Sequence, residues 1–213
     1  MKLDRNEFEA RWAGGELAVS LVGMSNIGKS WLAGRLSEGL GTPALEVDTF
    51  IREELGQTSM ADFAHWLGHP DTSGYAEREA RSLAIEERAT LAALDAMPRP
   101  GVLDTTGSVI YCKRSCERLR VETYVVYLSA GVDIRLSLQE LYFSHPKPLN
   151  WNGHFQPEPG ESFGDTVARC YPELLDARDT AYAALADHTV PASAIFAPGL
   201  GADDLWSLLK PAA

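Results

Sequence analysis

The stretch "GMSNIGKS", residues 23–30, sets Gly23 and Gly28 around four residues of no fixed type and follows the second glycine with Lys29 and Ser30. Glycines so spaced let successive backbone N–H groups turn inward around phosphate oxygens, while the lysine reaches the β and γ phosphates and the serine hydroxyl ligates Mg2+. The chemistry is nucleotide binding, with ATP and Mg2+ as the implied cofactors. The residues placed at the nucleotide are Gly23, Ser25, Asn26, Ile27, Gly28, Lys29, Ser30 and Trp31. An incidental glycine turn is the competing account, and it gives no reason for a strand-like run in front and a helical pattern behind.

Phosphoryl transfer also needs a carboxylate that accepts the attacking hydroxyl's proton and a positive clamp on the transferring oxygens. "LEVDTF" puts Glu46 and Asp48 at the end of an apolar run, two apart and so on one side if the backbone stays extended. "GVLD" gives Asp104 the same placement, and parallel sheets bind ligands beyond the carboxyl ends of their strands. The bland alternative makes Asp48 the N-cap of a helix over 49–56.

These residues need elements to carry them, and the chain supplies an alternation of strand-like and helix-like segments. Strands are expected over 17–22, 43–47, 101–106, 123–128 and, in "ASAIFA", 192–197. Helices are expected over 30–40 and 76–97, the latter burying Leu83, Leu91 and Leu94. The alternation argues for an α/β fold, a five-stranded parallel sheet with helices on both faces. One proline- and glycine-rich stretch, about 143–163, breaks the pattern and is expected to be a mobile lid on a single domain spanning 1–213.

Composition narrows the partners. Lys and Arg number 19 against 30 Asp and Glu, a net charge of −11 that repels nucleic-acid backbones. No apolar run reaches the roughly 20 residues of a membrane span, and three cysteines are too few for a disulfide framework. A soluble cytoplasmic protein is expected, monomer or homodimer, without nucleic-acid or membrane partners. His65 and His69 are four apart but lack further ligands for zinc, and Cys112 and Cys116 suit helix packing better than thiol chemistry.

Taken in order, the motifs resemble the shikimate kinases within the nucleoside-monophosphate-kinase-like P-loop proteins. The resemblance lies in "GMSNIGKS", "EVD" in place of D-x-D, "TTGSV" at 105–109, "VVYL" at 125–128, "KPLN" at 147–150 and "LLDARDTAYAALA" at 174–186. It implies a three-layer P-loop fold with a lid, and small-molecule kinase activity with an anionic polyol such as shikimate as acceptor. By the same resemblance Lys29, Asp48 and Lys147 are the catalytic residues, with Ser30, Glu46 and Asp104 as metal ligands. Asp48, Arg78, Gly107 and Arg178 would bind the acceptor, Arg178 pairing with its carboxylate, a task suited to guanidinium geometry. The alternative for Arg178 is a solvated helix face beside Asp176 and Asp179.

The chain departs from the family pattern in four places. Lys147 replaces a lid arginine, Glu46 an aspartate, and "TGS" three glycines; the arginine of F-R-x-x-E falls on Ala76, with Arg78 or Arg81 available along the helix. "YCKRSCERLR" also resembles a stretch of gluconate kinases. Alternative functions are therefore a kinase of a gluconate-like sugar acid, a cyclitol or a nucleotide, or a non-catalytic ATP-binding regulator.

Overall fold

The computed structural model describes residues 2–144 and 149–212. Its centre is a five-stranded, wholly parallel sheet in the order β2-β3-β1-β4-β5. The strands are β1 (Ala18–Val22), β2 (Ala44–Glu46), β3 (Gly101–Asp104), β4 (Tyr124–Ser129) and β5 (His188–Pro191). β1 and β3 are buried along their whole length, as strands covered on both faces must be.

Around the sheet run α1 (Arg5–Ala13), α2 (Lys29–Leu40), α3 (Val47–Glu54), α4 (Met60–Leu67) and α5 (Tyr75–Ala96). After a 3-10 turn at Val109–Tyr111 come α6 (Lys113–Glu122), α7 (Val132–Ser144), α8 (Phe163–Leu185), the short α9 (Ala192–Ile195) and α10 (Ala202–Leu209). The β1–α2–β2 crossover runs one way across the sheet and every later one runs the other way. Right-handed connections then place α2 on one face and α5, α6 and α8 on the opposite face. α10 packs beside α2. The reversal of direction falls between β1 and β3, and a parallel sheet opens a ligand crevice at such a switch point.

Three expectations about elements are corrected. The last strand is His188–Pro191, and "ASAI" is the turn of helix after it; a short apolar run does not by itself distinguish strand from helix, and alanine favours the latter. The extended backbone at β2 ends at Glu46, so the helix begins at Val47, two residues earlier than capping by Asp48 would require: Glu46 is the N-cap and Asp48 sits in the first turn. On α5 the buried side is carried by Ser82, Ile85, Glu86, Ala89, Ala93 and Leu94, with Leu83 and Leu91 at its margin.

The described part of the expected lid, 149–162, is anchored to α5. Tyr75 Oη donates to Leu149 O and accepts from Trp151 N, and Glu79 Oε1 accepts from Asn152 N. Trp151 is buried among Tyr142, Phe155 and Tyr171. Among the described residues no helix is long and apolar enough to cross a membrane.

Candidate active site

The loop between β1 and α2 takes its shape from backbone conformations that ordinary residues avoid. Gly28 has φ 107°, and a Cβ there would lie 2.6 Å from the Phe196 ring; Asn26, at φ 64°, is a residue type that tolerates this region. The turn directs Lys29 back under the loop, where Nζ donates to Gly23 O at 3.1 Å and Met24 O at 3.0 Å. Burial lowers the pKa of this amine, against the pull of Asp104 and Asp48.

Ser30, one residue into α2, donates from Oγ to Asp104 Oδ2 at 2.5 Å. The other carboxylate oxygen, Oδ1, is buried and has no hydrogen-bond partner among the described residues. Burial pushes the Asp104 carboxyl up to about 6, with Glu46 and Asp48 adding and Lys29 and Ser30 opposing. A buried carboxylate with an unmet oxygen beside a serine hydroxyl fits Mg2+, which takes one or two protein oxygens and keeps its remaining positions for water and phosphate.

Lys29, Ser30 and Asp104 line a cavity of about 280 Å3 together with Asp48, Gly107 and Arg178. Asp48 stands at its mouth, open to solvent on one side, and desolvation at the cavity wall moves its carboxyl upward against Lys29 and Arg52. Gly107 approaches the phosphate loop so closely that a Cβ would lie 2.6 Å from Ser25 Oγ and 3.1 Å from Ser25 N. Arg178 is only 6% exposed. Its Nη2 donates to Asn150 O at 2.6 Å and its Nε to Tyr111 Oη at 3.3 Å. The neighbours that suggested a solvated face are otherwise engaged: Asp176 pairs with Arg135, and Asp179 accepts from Tyr127 Oη.

Not every expected residue joins this group. Arg78 lies apart: its Nε, Nη1 and Nη2 donate to Leu67 O, Ser73 O and Thr72 Oγ1, tying down the loop between α4 and α5 outside the cavity. Arg81 lies over the Trp66 ring, also outside. Glu46 pairs in register with Asp104 on the neighbouring strand but does not line the cavity, because the chain turns helical before Asp48. Of the nucleotide loop, Ser25 and Asn26 line the cavity. Ile27 is packed into the core, and Trp31 lies half exposed against Phe196. Lys147 lies outside the described residues. His65 and His69 belong to no cluster of three metal-ligating side chains among the described residues. Burial raises the pKa of both Cys112 and Cys116, leaving them poor nucleophiles.

Glu86, Ser82 and Asn150 are among the cavity residues that were not anticipated. Glu86 projects from the buried side of α5 and accepts from Thr106 Oγ1 (2.7 Å), Ser108 Oγ (3.0 Å) and Asn150 Nδ2 (2.8 Å). Burial raises its pKa, and those same hydrogen bonds oppose the rise. Ser82 and Asn150 line the cavity beside it, Ser82 Oγ and Asn150 Oδ1 being buried without hydrogen-bond partners among the described residues. The available signal was a glutamate and a serine in register with the apolar stripe of a long helix.

Sheet order, loop and the Ser30–Asp104 pair define the class: a three-layer P-loop fold. Within that class part of the chain is similar in sequence to shikimate kinases, and its fold is like theirs. The shikimate kinase of Paracidovorax citrulli is 30% identical over 118 residues, 55% of this chain and 58% of that protein. That of Psychrobacter cryohalolentis is 31% identical over 120 residues, 56% and 58% of the two chains. The chain thus spans less than two thirds of the length of the curated relatives it matches. Among solved structures, shikimate kinase from Acinetobacter baumannii in complex with shikimate has a TM-score of 0.61 at 22% identity, covering 94% of each chain. Shikimate kinase from Bacteroides thetaiotaomicron gives 0.57 at 15% identity over 91% of this chain and 94% of that one. No family model matches.

Proposed function

We propose that the chain transfers the γ-phosphoryl group of ATP to a hydroxyl of a small metabolite. The observation that carries this reading is the convergence of Lys29, Ser30, Asp104, Asp48 and Arg178 on one cavity at the carboxyl ends of β1 and β3. The likeness to shikimate kinases supports it and makes shikimate the first acceptor to try.

In this reading the loop N–H groups and Lys29 hold the phosphates, and Lys29 exchanges its hydrogen bonds to Gly23 O and Met24 O for phosphate oxygens. Ser30 and Asp104 would hold Mg2+, which supplies charge neutralisation at the bridging phosphate oxygens. Asp48 accepts the proton of the attacking hydroxyl. The new bond joins that oxygen to the γ phosphorus, the bond from phosphorus to the β-γ bridging oxygen breaks, and ADP leaves. The lid, 143–163, closes over the site with Lys147 and keeps out water that would otherwise hydrolyse ATP. The protein works in the cytoplasm as a monomer or homodimer, a setting in keeping with its free cysteines.

The test is ADP release from Mg·ATP with shikimate, sugar acids, cyclitols and nucleoside monophosphates in turn. Lys29→Ala is expected to abolish acceptor-stimulated release; turnover equal to the parent protein's would overturn the assignment.

A further inference from the structure

One part of the cavity is built to receive hydrogen bonds. Ser82 Oγ and Asn150 Oδ1 line it and are buried with no partner among the described residues, and burying such atoms unpaired is costly. Glu86 offers the lone pairs that remain after Thr106, Ser108 and Asn150 have bonded to it. Ile51, Phe63 and Leu67 line the same cavity and give it apolar surface. Polar groups and apolar surface in one cavity suit a ring that carries both hydroxyl and C–H groups.

The same part of the cavity is poorly suited to a carboxylate. Arg178 is the one guanidinium lining the cavity among the described residues, and two of its five N–H donors are already engaged, Nη2 with Asn150 O at 2.6 Å and Nε with Tyr111 Oη at 3.3 Å. Asn150 also bonds Glu86, so the arginine and the glutamate share one bridging residue and act on each other electrostatically. Arg78 and Arg81 point elsewhere, and position 76 is an exposed alanine.

We infer that, if the chain is the kinase proposed above, its acceptor is an uncharged polyhydroxylated ring, held by Ser82, Glu86 and Asn150, and not a sugar acid. Glu86 is the discriminating residue. An acceptor carboxylate would set charge against charge and lone pairs against lone pairs at the positions where ring hydroxyls would donate.

The experiment measures binding in the presence of Mg·ADP by titration calorimetry. It uses neutral cyclitols, and shikimate beside its carbinol, in which CH2OH replaces the carboxylate. The neutral member of that pair is expected to bind at least about ten-fold more tightly. Glu86→Gln, which removes the charge and keeps the size, is expected to move the ratio at least about ten-fold toward the acid. Ser82→Ala, which leaves the Glu86 hydrogen bonds in place, is expected to weaken neutral ligands several-fold. Equal or tighter binding of shikimate, an unchanged ratio in a folded Glu86→Gln, or no saturation by any neutral ring at roughly 10 mM would each overturn the inference. ADP release is read separately. Turnover with acids alone sinks the acceptor class and leaves the kinase standing; selective binding of neutral rings without turnover of any acceptor sinks the kinase.

Discussion

Asp104 is 6% exposed, and one of its oxygens has no partner among the described residues, so its ionised form is held at a cost to the folded state until a cation arrives. Its carboxyl is held at about 6 against an ordinary 3.8. Between those values the folded protein binds the proton and the unfolded chain does not, so stability falls as pH rises through that window. At 1.36 kcal/mol per pH unit the full effect is about 3 kcal/mol. Of this, about 2 kcal/mol is lost between pH 4.5 and 7.5. With an m-value near 2 kcal/mol/M, that is about 1 M in the urea midpoint.

Asp104→Asn removes this titration while Glu86 and Asp48, whose carboxyls burial also raises, continue to titrate. The difference in pH slope between parent and variant therefore isolates Asp104. Urea unfolding of both proteins at several pH values in metal-free buffer is the assay. The midpoint of the variant is expected to fall less from pH 4.5 to 7.5, by about 1 M. Added Mg2+ is expected to restore stability to the parent at pH 7.5 more than at pH 5, and not to the variant. Parallel slopes, or a parent whose stability rises relative to the variant across this window, would refute the account of Asp104 as a carboxylate destabilised by burial.

Three further outcomes follow from the geometry. Gly107→Ala forces Ser25 and the phosphate loop to shift away from the new Cβ; a loss of at least ten-fold in kcat/KM is expected from steady-state rates, with about 1–3 kcal/mol of stability. Tyr75→Phe leaves the buried Trp151 N–H without its acceptor and is expected to cost about 1–3 kcal/mol in urea unfolding. Arg178→Ala removes the donor to Asn150 O and opens a gap beside Tyr111; the acceptor KM is expected to rise with ATP KM unchanged, and unaltered constants would remove Arg178 from the site.

The nucleotide half of the site was legible because its signals are local. Gly23 to Ser30 fix their own turn, and the apolar runs on either side of the sheet switch place Asp104 beside Ser30. Arg178 was named on the resemblance of "LLDARDTAYAALA" alone, and the structure buries it against the cavity, not on the solvated face that was its alternative. The acceptor half was hidden by the rule used to orient α5. Leucines mark the inner side of a helix where the inside is apolar, yet α5 runs past a cavity, and there its inner side carries Ser82 and Glu86 while Leu83 and Leu91 sit at the edge. Such mismatches between local pattern and tertiary position are expected at functional sites. In the proposed reading Ala76 and Glu86 bear on the acceptor together: the first supplies no cation, and the second sets a carboxyl into the cavity, where three hydrogen bonds hold it.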